Sequence, residues 1–151
     1  MLINSNNLNF QGRFRVDGAD KFQEACKSGE IEKMEYQAIN GALKYAEKIT
    51  VKKLPEKDEV IASIGLRKNE SAKSPASLPF VTLNYKPDPA SNRKPVEETI
   101  PDKNGYRSPG MNNILICQWI DNVKESVYGP GKITQIIRKI FNSGSKEDPK
   151  V

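Results

Sequence analysis

The chain has 151 residues, 36% of them hydrophobic, with 24 basic against 19 acidic side chains and a net charge of +5. It contains no histidine, which removes the Ser-His-Asp and Cys-His nucleophile systems, histidine metal ligation and the imidazole pH switch together. No apolar run approaches the ~18 residues of a membrane span, and the Asn- and Ser-rich start lacks the basic and apolar regions of a classical secretory signal.

The length is that of one domain, able to bury about 70% of its unfolded surface without a disulfide or metal staple. Cys26 and Cys117 lie far apart with no C-x-x-C pattern. Reduced thiols and a cytoplasmic location are expected, with export lacking a classical signal peptide as the alternative.

In chain order, Leu8, Phe10, Gly12, Phe14 and Val16 alternate with polar residues and predict a half-buried strand. Gly12 suggests a bulge or close backbone approach. From Asp20 the period changes. A short helix over about Asp20 to Lys27 is expected to stop at Ser28-Gly29, where glycine suits a left-handed cap. A continuous helix tolerating Gly29 is the alternative.

A longer helix follows, with Ile31, Met34, Ala38, Ile39, Ala42, Tyr45, Ala46 and Ile49 on one stripe and Lys33, Gln37, Asn40, Lys44, Glu47 and Lys48 opposite. After Pro55 and a charged run, Val60, Ala62, Ile64 and Leu66 alternate as a second strand. Phe80 to Tyr85 alternates as a third, expected antiparallel to the second across the loop of residues 68–78.

Residues 87–110 differ in kind. Pro87, Pro89, Pro95, Pro101 and Pro109 punctuate them and no clear period survives, although Asn104-Gly105 permits a short hairpin around Ile100 and Tyr106. Ile116, Trp119, Ile120, Val123 and Val127 then form a helical stripe, preferred over a strand at residues 113–117. Gly129-Pro130-Gly131 breaks it. Ile133, Ile136, Ile137, Ile140 and Phe141 predict a last amphipathic helix, read chiefly as core, before a polar tail at 144–151.

Motifs that would carry chemistry fail on spacing. Around Gly131-Lys132 the first and last phosphate-loop positions are Ser126 and Ile133, which are the wrong residues. At Asp102-Lys103-Asn104-Gly105 a calcium loop would need glycine sixth and Glu twelfth, and neither is there. The carboxylate clusters at Glu56/Asp58/Glu59, Glu97/Glu98 and Glu147/Asp148 sit beside lysines in loops or the tail, with nothing to split their pKa values. Cys117 lacks the usual base. In the first strand Phe10 and Phe14 point away from Arg13 and Arg15, which separates stacking rings from cations.

The sequence therefore predicts a single α+β domain over residues 1–143. It has a small antiparallel sheet of about three strands packed against a long helix from the N-terminal half and two C-terminal helices. No catalytic, cofactor-binding or metal residues are assigned. The leading functional expectation is a small soluble protein-binding or regulatory module, non-enzymatic, whose partner is another protein. Recognition is assigned to the proline-stiffened segment 87–110, where order on a partner costs less entropy, with Arg93, Lys94, Tyr106 and Arg107 as contact residues. The alternatives are a nucleic-acid-binding accessory protein using the dibasic pairs Lys52-Lys53, Arg67-Lys68, Arg93-Lys94 and Arg138-Lys139, and an exported bacterial effector.

Overall fold

The computed structural model describes residues 12–70, 74–102, 108–129, 136, 137, 139 and 140. The fold is α+β, and its elements among the described residues are, in chain order, β1 (Phe14–Asp17), α1 (Ala19–Ser28), α2 (Lys33–Lys53), β2 (Glu59–Lys68), β3 (Ser77–Lys86), β4 (Val96–Ile100) and α3 (Pro109–Tyr128), the four strands lying in one sheet. The sheet order is β1-β2-β3-β4.

The break between the first two helices falls where the sequence places it. Gly29 adopts φ 81°, a left-handed cap that a side chain would strain, and its N–H donates to the Cys26 carbonyl. β2 and β3 pair antiparallel over ten residues, Glu59 opposite Lys86 through Lys68 opposite Ser77. Their alternation turns Val60, Ala62, Val81, Leu83 and Tyr85 onto one face, where they form a single core with Phe22 and Ala25 of α1, Ile39, Leu43 and Ala46 of α2 and Ile116, Trp119 and Ile120 of α3. α3 begins on a capping pair: Ser108 Oγ accepts from the Met111 N–H and Pro109 occupies the first turn.

Four expectations need correction. First, the sheet is mixed, not antiparallel: β1 pairs parallel to β2, Phe14 opposite Val60. A parallel pair needs a crossover of a dozen residues or more, and α1 with α2 supplies it. Residues 8–11 of the expected first strand lie outside the described residues. Second, a fourth strand stands inside the proline-rich segment, pairing with β3 from Tyr85 opposite Val96 to Val81 opposite Ile100.

Third, the buried face of α2 is rotated from the expected stripe. Met34 is exposed, while Glu35, Tyr36 and Asn40 are buried. Fourth, Ile136, Ile137 and Ile140 are helical but exposed, because α1, α2 and α3 already cover the core face of the sheet. Ile133 and Phe141 of that expected helix lie outside the described residues.

Arg13, expected on the face opposite Phe14, is spent locally. Its guanidinium donates to the carbonyls of Thr50, Val51 and Leu54, at 2.5, 3.0 and 3.2 Å, and to that of Pro55. A cation thereby meets the orphan carbonyls and negative dipole end of α2.

Candidate functional site at the free edge of strand β4

The segment leading into β4 is held by one buried carboxylate. Asp58, fully buried, accepts from the Tyr85 hydroxyl, from the Asp88 backbone N–H at 2.9 Å and from Arg93 Nη2 at 2.7 Å. Arg93 Nε also donates to the Tyr85 oxygen at 3.2 Å. Burial, with the hydrogen bond to Asp58 next, pushes the Tyr85 phenol up to about 12. The same contacts, Tyr85 first and then Asp58, raise Arg93 further above its ordinary value. These bonds fasten residues 88–93 to the ends of β2 and β3, so β4 starts from a fixed point.

β4 is an outer strand of the sheet. Among the described residues only β3 pairs with it, on one side. Its five residues lie between Pro95 and Pro101, which lack backbone donors and confine any further pairing to Val96–Ile100. Val96, Glu97 and Glu98 are exposed. Glu98 stands opposite Leu83, on the side of the sheet that faces α3. A charge turned inward at an edge is a known guard against edge-to-edge pairing.

Between this edge and α3 lies a cavity of about 210 Å³ lined by Val96, Glu98, Trp119, Asn122, Val123 and Ser126. Trp119 is buried, yet its indole Nε1 has no hydrogen-bond partner among the described residues. An indole N–H normally finds an acceptor when buried, and leaving it unpaired costs about 1–3 kcal/mol. Ser126 Oγ is committed to the Val123 carbonyl at 2.6 Å. The cavity thus has an apolar floor from Trp119 and Val123 and a carboxylate from Glu98.

A second cavity, about 340 Å³, is lined by Asp20, Lys21, Glu24, Ala25, Ser28, Glu30 and Leu66. It is larger but chemically undirected: its charges are mixed in sign, and Glu30 Oε2 already accepts from Ser77 at 2.6 Å. Among the described residues no group of three His, Cys, Asp or Glu side chains could hold a metal ion, and no helix is long and apolar enough to cross a membrane. Cys26 and Cys117 are free and half-buried. Burial, and then Asp121, raises the Cys117 thiol, lowering its thiolate fraction.

Two of the four contact residues expected from sequence, Arg93 and Lys94, are among the described residues. Arg93 is tied into the Asp58 cluster. Lys94 is exposed just before β4. Tyr106 and Arg107 lie outside the described residues. Of the other basic pairs, Arg67 lies over the Phe80 ring at 4.2 Å and donates to the carbonyls of Pro101 and Asp102. Sequence reasoning missed Val96, Glu98 and the cavity face of Trp119. The available signal was the period-two set Val96, Glu98 and Ile100, interrupted by the charge at its centre. Comparison with known protein families, characterised proteins and solved structures finds no match to this chain.

Proposed function

We propose that the chain is a non-enzymatic protein-binding module that takes up an extended segment of another protein along the free edge of β4. The observation that carries this reading is an edge left unpaired among the described residues, beside a cavity lined by Val96, Glu98 and Trp119, whose indole N–H is buried and unpartnered among the described residues. Strand addition supplies main-chain hydrogen bonds for affinity, while alternate side chains entering a pocket supply specificity. The partner strand is basic. Glu97 and Glu98 are exposed and adjacent, so opposite charge is favoured across the new pair. The same glutamates oppose self-association, since two β4 edges paired antiparallel about Glu98 would set the two copies of Glu98 against each other.

The test uses the full chain panned against a random peptide display library, with binders titrated into isotope-labelled protein. Trp119 is the only tryptophan, so its indole signal is unambiguous. The expected result is basic peptides that shift that signal and the amides of residues 96–100. Their affinity should fall about tenfold or more, equivalent to ~1.4 kcal/mol, in Val96→Asp. Failure to select any peptide, or binders that leave these signals in place while moving others, overturns the proposal.

A further inference from the structure

The junction of α2 and α3 holds a polar pair that neither the strand edge nor the core explains. Glu35, in the first turn of α2, and Asn112, in the first turns of α3, are each 1% exposed. Asn112 Nδ2 donates to Glu35 Oε2 at 2.9 Å. The remaining two oxygens, Glu35 Oε1 and Asn112 Oδ1, are buried without any hydrogen-bond partner among the described residues. Two orphan acceptors on one bonded pair are a specific deficit: each lacks a donor, and a single proton placed between them would satisfy both.

We infer that Glu35 is protonated in the folded protein, its Oε1–H donating to Asn112 Oδ1 while Oε2 accepts from Asn112 Nδ2. The acid and the amide thereby close a cyclic pair that fastens α2 to α3. When the proton is lost to solvent, a carboxylate with one donor is left in an apolar enclosure and the amide oxygen is orphaned. The junction of the two helices then loosens.

The surroundings oppose the charged form. The inward residues of α3 are Asn112, Ile116, Trp119, Ile120 and Val123, none ionisable. Those turned onto α2 from α1, β1 and β2 include Phe22, Ala25, Phe14, Val60 and Ala62, again without charge. The charge acting on Glu35 is Glu32, of the same sign, at the N-cap of α2. The α2 dipole favours an anion here by only about 0.3–1 kcal/mol, less than the several kcal/mol of burying one with a single donor. Burial accordingly raises Glu35 to about 7, with Glu32 adding to it and Asn112 opposing.

The folded state holds a proton that the unfolded chain releases, so the contribution is complete below about 4.5, the ordinary value, and is lost as pH rises through about 7. With no histidine in the chain, no imidazole titration overlies this window.

The test follows the Glu35 side-chain carboxyl carbon by NMR in the full chain, together with the folding equilibrium of wild type and Glu35→Gln at about pH 5.5 and pH 8.5. The substituted amide reproduces both bonds, donating to Asn112 Oδ1 and accepting from Asn112 Nδ2, and it cannot ionise. The expected result is a carboxyl midpoint near 7 and a wild-type folding constant that falls about tenfold or more between the two conditions. Glu35→Gln should change less than about threefold over the same range. A carboxyl that titrates in the ordinary glutamate range overturns the inference. An identical pH profile in the two proteins does so too, and if Glu35→Gln fails to fold, the wild-type titration alone decides.

Discussion

Asp58 and Glu35 are both buried carboxylates, one at the end of the sheet and the other between two helices, and the molecule treats them in opposite ways. Asp58 receives three donors, one of them a guanidinium, and both its oxygens are used. Glu35 receives one donor from a neutral amide and faces a like charge. Both side chains are fully enclosed. The number and charge of the donors differ, and that difference decides how well a buried acid is compensated. Where the cation is present, burial fixes a loop in place. Where it is absent, burial stores a proton.

The largest effect that can break this comparison is at Asp58. Asp58→Ala removes the acceptor shared by Tyr85, Asp88 and Arg93 and should cost about 3–5 kcal/mol, read as a shifted midpoint in urea unfolding. Arg93 retains access to water, its side chain being 29% exposed, which favours the lower end. Amide exchange should quicken across residues 88–95, the segment that the cluster fastens. If Asp58→Ala costs no more than Glu35→Gln at neutral pH, the distinction between the two acids is wrong.

A smaller step isolates one donor. Tyr85→Phe keeps the ring in the core and removes only the hydroxyl that bonds Asp58 and Arg93. It should cost about 1–2 kcal/mol in the same unfolding measurement. A loss as large as that of Asp58→Ala would mean that the tyrosine, and not the ion pair, anchors the segment.

The two clusters also differ in how far the sequence discloses them. The α+β class, the Gly29 break and the pairing of β2 with β3 follow from period, turn chemistry and adjacency. The direction of β1 does not, because alternation reads the same in parallel and antiparallel pairs. Its partner is set by the helical crossover. β4 is obscured because an inward Glu98 interrupts a strand of only five residues between prolines. Glu35 is hidden for the same reason: a charged residue on the apolar side makes the exposed Met34 look like the better core residue. The Asp58 cluster joins side chains 27 and 35 positions apart, and no local spacing encodes such a meeting. The candidate site therefore became legible only as a place, residues 87–110, and not as a set of side chains.

The smallest effect compares two tyrosines whose phenols are both pushed up to about 12, for different reasons. For Tyr85 the first cause is burial, and the Asp58 hydrogen bond comes second. For Tyr45 the first cause is its 2.6 Å bond to Asp121, with burial behind it. In both, the raised value favours the neutral phenol in the folded state. That contribution is complete below about 10 and disappears as pH rises through about 12. Removing the acid should separate them. In Asp121→Asn, Tyr45 should fall back toward the ordinary range of about 10, since its first cause, the bond to Asp121, and the charge of Asp121 are both removed, leaving burial and Cys117 to raise it. In Asp58→Asn, Tyr85 should stay raised, since its ring remains enclosed by the core. Spectrophotometric phenolate titration, with Tyr45→Phe and Tyr85→Phe to identify each transition, distinguishes the two. Equal shifts in the two asparagine variants would show that the hydrogen bond to the acid, and not enclosure, governs both phenols. Burial would then be a weaker determinant of charge in this interior than the raised value of Glu35 requires.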